Sequence, residues 1–369
     1  MRQKGTVGWL KHDITHRGVT AWALTIALAL FYLLLYYGGR TVAGVYVPDF
    51  WTYLSDAMGL PHKWTLYGLI YTVAVVVGGI YVMRKYSHNR YQLVRTSVVM
   101  FVQCTLAFAI PWIMAVFERP EFYFSYLWPL TIENFYPSNI LNHPLPIILY
   151  SAIGSLVLVP ILGVLYGKRW YCSWVCGCGG LANTAGEPFR HLGTKTTRSW
   201  KFEKWAVHLT LILALVVTAV VIASWAVGDH HPQFQERAAS LQSFYGFVVA
   251  TMLSGIIGVV VYPIVGTRVW CRFFCPMAAL LGLIQKFGRF RITVKDDMCI
   301  SCGLCTKYCE MGIDVRAYAQ QNQDFVRASC VGCGLCAEVC PRGVLRLENK
   351  TPKDPQELTM DSLLSESYR

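Results

Sequence analysis

Fourteen cysteines carry most of the chemistry legible in this 369-residue chain. Eight fall in two runs of one pattern, C-x2-C-x2-C-x3-C. Cys299, Cys302, Cys305 and Cys309 form the first; Cys330, Cys333, Cys336 and Cys340, followed by Pro341, form the second. Three thiolates this close together wrap one face of an iron–sulfur cubane. Gly303 and Gly334 inside the runs let the backbone approach the sulfides. Zinc sites pair two shorter units across a longer loop, so the repeated triple run favours clusters.

In the bacterial two-cluster arrangement the fourth cysteine of each run ligates the other cluster. One [4Fe–4S] cluster is therefore expected on Cys299, Cys302, Cys305 and Cys340. The second is expected on Cys330, Cys333, Cys336 and Cys309. Glu310 stands after Cys309, where the second run has proline, and is expected to lower the potential of a nearby cluster.

Four more cysteines belong to a second repeat. Gly167 to Cys176 and Gly266 to Cys275 both read G-x-R-x-aromatic-C-x-aromatic-x-C at an offset of 99 residues. Cys172, Cys176, Cys271 and Cys275 can then converge as four thiolates. A third iron–sulfur cluster is the preferred reading. A redox-active dithiol, a soft metal such as Cu(I), and buried structural cysteines remain alternatives. Cys178 adds a fifth thiol that can replace one ligand, while Cys104, alone in an apolar run, is expected to serve packing.

The elements that must position these thiols are apolar. The chain is 54% hydrophobic and 15% charged, against about 25% charged in soluble domains. Uncharged runs at Val19–Tyr37, Trp64–Met83, Thr96–Val116, Pro144–Gly167, Trp205–Gly228 and Phe244–Val265 are each long enough to cross a bilayer. Lys and Arg number 15 on one side of these spans and 4 on the other, up to Val265. This bias places both termini in the cytoplasm, and the net charge of +12 reflects it rather than nucleic-acid binding. No Asp, Glu, Lys or Arg interrupts a span and no histidine lies mid-span, so neither a proton path nor a haem is expected.

The expected fold is an all-α polytopic membrane domain of six transmembrane helices, then a small α+β two-cluster ferredoxin domain. The expected division is a membrane domain at 1–266, with a cytoplasmic cysteine loop at 167–204. A second cysteine loop and an interfacial helix follow at 267–294, the ferredoxin domain at 295–349 and a polar tail at 350–369.

With both cysteine repeats in view, the chain resembles the NapH/NosR/MauN-type membrane polyferredoxins over about residues 144–349. Cys271 and Cys275 match the family's second C-x3-C-P loop. Cys172 and Cys176 match the first, with Gly177 in place of proline and Cys178 extra. The resemblance implies a membrane-bound electron-transfer subunit of a quinol dehydrogenase or oxidoreductase complex. Such a subunit sits in the bacterial inner membrane and exchanges electrons between the quinone pool and partner oxidoreductase subunits. Lipid, quinone and the partner subunits are the expected contacts. His208, with Trp205 and Trp174, is the candidate quinone site near the cysteine loops. The aromatic loop Phe117–His143 reads as an interfacial belt. The rivals are a membrane copper reductase using the C-x3-C loops and a non-enzymatic maturation or regulatory factor that supplies electrons.

Overall fold

A computed structural model describes residues 6–42, 44–127, 130, 136–227 and 231–349. The polar tail at 350–369 and the belt residues Trp128, Glu133 and Phe135 lie outside the described residues. Six helices are long and apolar enough to cross a membrane. They are α1 (Val19–Tyr37), α2 (Lys63–Lys85), α3 (Arg90–Val116), α4 (Leu145–Tyr166), α5 (Thr197–Val227) and α6 (Pro232–Val260). Asn89 caps α3 by accepting from Gln92 N, and Pro232 opens α6 at a position that needs no amide donor. In α3 and α4, π-helical turns at Thr105–Ala109 and Gly154–Leu158 precede Pro111 and Pro160 closely. A proline removes an intrahelical hydrogen bond, and a widened turn accommodates that loss.

The sixth helix departs from the expected span Phe244–Val265. It begins 12 residues earlier, because the polar stretch Gln233–Ser243 stays helical where it packs along α5. It ends at Val260, and the chain re-forms only a single turn, Tyr262–Val265, around Pro263. The segment expected as an interfacial helix is helical. Helix α7 (Pro276–Gln285) is largely buried and packs against α4 and α5. Its small residues Ala278, Ala279 and Gly282 permit that approach; a Cβ on Gly282 would stand 2.8 Å from Ala328 O.

The last segment pairs β1 (Phe290–Val294) antiparallel with β2 (Leu345–Asn349), Ile292 opposite Leu347, around the two cysteine runs. It is not a loose appendage. One apolar core joins Val159, Ala214 and Val217 of the helices to Leu281 of α7 and to Phe290, Met311 and Val331 of this segment. A polar seam fixes the docking. Tyr91 Oη donates to Gly332 O (2.8 Å), Ser173 Oγ to Val331 O (2.6 Å) and Gln285 Nε2 to Arg327 O (2.6 Å).

Candidate redox site

Cys299, Cys302, Cys305 and Cys340 line one cavity with an empty volume of ≈ 360 Å³, bounded also by Pro341, Val344 and Arg316. Gly303, at φ 75°, makes the left-handed turn that closes the run. Cys302 is exposed, so this set is the solvent-facing one.

Cys309, Cys330, Cys333 and Cys336 lie deeper. Burial first, then the charge of its neighbours Cys333 and Cys309, pushes the Cys330 thiol up to about 12. Cys309 rises to about 11 through burial and the charges of Cys333 and Glu310. Cys336 also senses Cys305 of the first set, so the two sets adjoin. Thiols this reluctant to ionise alone are ligated only when a bound metal centre displaces their protons.

Five thiols meet where the two C-x3-C loops converge. Cys172 senses Cys176 and Cys271, Cys275 senses Cys271, Cys172 and Cys176, and Cys178 senses Cys176, Cys271 and Cys275. The repeat has a structural meaning. Cys176 is the N-cap of the short helix Gly177–Asn183, and Cys275 is the N-cap of α7, its Sγ accepting from Ala278 N at 3.4 Å. Gly177 and Pro276 thus occupy the same first helical position, where proline is tolerated but not required. A hydrogen bond from Cys178, opposed by burial and aided by the amides of Gly179 and Cys178, draws the Cys176 thiol down to about 7. Gly179 is obligatory here, since a Cβ would stand 1.8 Å from Cys172 O.

Among the described residues, no three His, Cys, Asp or Glu side chains stand at the spacing of a single ion.

Buried cations surround these thiols. Arg95, Lys168, Arg190 and Arg268 are each at most 2% exposed. Arg95 Nη1 and Gln92 Nε2 both donate to Cys333 O, at 2.8 and 2.9 Å. Arg95 Nε has no partner among the described residues. With the buried Arg272 they make five cations, against three buried acids, Glu187, Glu203 and Glu310, among the described residues. The surplus positive charge suits anionic thiolate clusters and would be costly without them.

Glu310 is not the lone anion expected after Cys309. Its Oε2 lies 2.9 Å from Arg190 and its Oε1 2.9 Å from Arg268. Burial would raise its carboxyl, but these two arginines hold it below the ordinary value. The cations were the part of the site missed in sequence. Arg268 and its repeat counterpart Arg169 were visible as shared repeat positions; Arg95 and Arg190 carried no such signal.

Glu187 extends the network to Lys85 (2.9 Å) and Arg190 (2.7 Å). Against burial, Arg190, Lys85 and a hydrogen bond from Tyr86 hold its carboxyl down to about 2. A depressed acid stabilises above its unfolded value and loses that contribution as pH falls through its folded value. Melting midpoints measured in detergent from pH 7 to 2 should therefore fall through the acid range, by the equivalent of about 3 kcal/mol for this group. Glu187→Gln should flatten that dependence and lower the neutral-pH midpoint.

The three quinone candidates do not come together. Trp205 is 81% exposed, and Trp174 donates from Nε1 to Tyr91 Oη at 3.4 Å beside the docking seam. His208 alone of the three lines a cavity, partly open to solvent, that Cys271 also lines. Five cations, Lys168, Lys204, Lys286, Arg272 and Arg327, line it against one acid, Glu203, which is paired with Arg272 at 2.6 Å.

The comparisons with known proteins bear on both repeats. A family model described as a 4Fe-4S dicluster domain matches residues 292–347. A second, described as a 4Fe-4S binding domain, matches twice, at residues 148–195 and 248–295, each copy holding one C-x3-C loop. The putative electron transport protein YccM of Escherichia coli (strain K12) is 25% identical over 188 residues, 48% of this chain and 51% of YccM. The methylamine utilization ferredoxin-type protein MauN of Paracoccus denitrificans is 28% identical over 170 residues, 44% of this chain and 56% of MauN. MauN of Methylobacillus flagellatus is 26% identical over 232 residues, 60% of this chain and 76% of that protein. Over these segments the chain is similar to the MauN-type ferredoxin proteins and carries their iron–sulfur domains. The chain spans about half the length of the first two relatives. No solved structure matches it. An iron–sulfur electron-transfer role is consistent with these relatives and with the 4Fe-4S domains.

Proposed function

We propose that this chain is the membrane electron-transfer subunit of a larger oxidoreductase complex, exchanging single electrons between the quinone pool and a partner. The observation that carries this reading is the serial order of three thiol sets. The solvent-facing set adjoins the buried set, and buried cations tie the buried set to the twin loops at the helix ends. Cysteines 299, 302, 305 and 340 would hold one [4Fe–4S] cluster, and cysteines 330, 333, 336 and 309 another. Cysteines 172, 176, 271 and 275 would hold a third iron–sulfur centre, with Cys178 in reserve. Such centres supply one-electron couples. In this reading the chain lies in a bacterial inner membrane, with the ferredoxin segment and both termini cytoplasmic.

The His208 cavity is the place assigned to the quinone headgroup. His208 Nδ1 lies 2.6 Å from Lys204 O, which fixes the ring and leaves Nε2 to take a proton. The lining cations would favour the anion formed when a quinol loses its first proton. The test is anaerobic mixing of protein in liposomes with a reduced short-chain quinol, or of dithionite-reduced protein with the quinone. Bleaching or recovery of the cluster absorbance within the mixing experiment is expected. No exchange in either direction, while dithionite still bleaches the clusters, would refute the quinone role.

A further inference from the structure

Three charged side chains form a buried bridge between two of the thiol sets. Arg190 Nη1 lies 3.6 Å from Cys333 Sγ and 2.9 Å from Glu310 Oε2. Arg268 Nη2 lies 2.9 Å from Glu310 Oε1, and Arg268 Nη1 lies 3.8 Å from Cys271 Sγ. All three side chains are at most 1% exposed. The backbone is shaped to allow it. Gly266, at φ 103°, opens the second cysteine loop, and a Cβ there would stand 2.8 Å from Gly193 N. That close approach brings the loop carrying Arg268 against the turn Glu187–Leu192 carrying Arg190.

From this geometry we infer that Arg190–Glu310–Arg268 is the coupling element between the ferredoxin segment and the twin-loop centre. It sets the potentials of both centres together and forms the contact across which their electron passes. The inference rests on the proposed reading that the twin loops hold a redox centre.

The reasoning is electrostatic. Each guanidinium stands beside a sulfur of a different set, so each favours the reduced, more negative state of that set. Glu310 holds both guanidiniums in place and cancels one of their two charges. It therefore tempers both potentials at once, which neither arginine could do alone. In the transfer, one electron leaves one thiol-bound centre and arrives at the other. No proton moves, because the two guanidiniums and the carboxylate keep their charges. A Coulomb effect between buried groups is screened little by salt, so the coupling is expected to persist at high ionic strength. Glu310 and both arginines are positioning residues here, since they act through the thiol-bound centres.

The test uses the full-length anaerobic protein and its Glu310→Gln, Glu310→Asp and Arg268→Lys variants. Two readouts are taken, an EPR-monitored redox titration and the rate at which an electron injected into the ferredoxin clusters reaches the twin-loop centre. Glu310→Gln should raise the potentials of the inner ferredoxin cluster and of the twin-loop centre together. It should also slow transfer between them at least tenfold, with the exposed cluster unmoved. Glu310→Asp should restore the potentials in part. A Glu310→Gln protein that loses only melting temperature, with both potentials and the rate unchanged, would overturn the bridge. If Glu310→Gln does not fold, Arg268→Lys decides by the same two readouts. A wild-type protein showing only two reducible centres would instead overturn the reading of the twin loops, and the bridge with it.

Discussion

Cys340→Ser is expected to remove the cluster assigned to Cys299, Cys302 and Cys305, not the one assigned to its own run. Cys340 lines the same cavity as those three residues, with Val344 N donating to its Sγ at 3.4 Å. Cys309→Ser should do the reverse and empty the site of Cys330, Cys333 and Cys336. Each variant should lose about half the iron of the ferredoxin segment. The two losses should differ in kind. The first removes a solvent-facing centre and leaves the docking seam intact. The second empties the pocket beneath Arg95, Arg190 and Glu310, leaving a surplus of buried positive charge, so it should also lower the melting midpoint. Iron and sulfide analysis with EPR of the dithionite-reduced variants checks this. Loss of the same EPR signal in both variants would contradict the crossed ligand sets.

Glu203→Ala is expected to destabilise the protein by about 3–5 kcal/mol, the cost of a buried charge left without its partner. Arg272 Nε lies 2.6 Å from Glu203 Oε2, and both residues are buried where α5 meets the second cysteine loop. In the variant Arg272 keeps its hydrogen bond to Thr194 O, at 2.6 Å, and the Phe273 ring, but no anion among those partners. The double variant Glu203→Ala, Arg272→Met should recover much of the loss, because breaking one partner costs more than replacing both. The alanine variant should also release iron from the twin loops sooner on warming, since Arg272 adjoins Cys271. Thermal melts of the three proteins, with iron release followed in parallel, provide the measurement. Equal losses in the single and double variants would show that the pair matters by volume rather than charge.

The grouping of the ferredoxin cysteines was legible because its logic is local. A C-x2-C-x2-C-x3-C run brings its thiols together within a few residues, whatever surrounds it. The twin loops were legible by repetition, and their two caps, at Cys176 and Cys275, explain why glycine and proline interchange at the next position. What escaped was long-range. Arg95 sits in the first turns of a spanning helix and read as one more positive charge at a loop; only the fold aims it at Cys333 O. Glu310 read as an anion because its partners, Arg190 and Arg268, are 120 and 42 residues away. The sixth helix outran its apolar stretch because packing along α5, not hydropathy, sets where it begins. Of Trp205, Trp174 and His208, only His208 lines the cavity beside Cys271. Exposure is decided by neighbours that local sequence does not name.

The central claim is that three thiol sets hold three redox centres in series. Mössbauer and EPR spectra of the iron-57-enriched, anaerobically purified chain test it most directly. The expected spectra contain two [4Fe–4S] clusters and a third iron–sulfur centre, and Cys172→Ser and Cys271→Ser each abolish the third alone. Spectra fully accounted for by two [4Fe–4S] clusters, unchanged in those two variants, would contradict it.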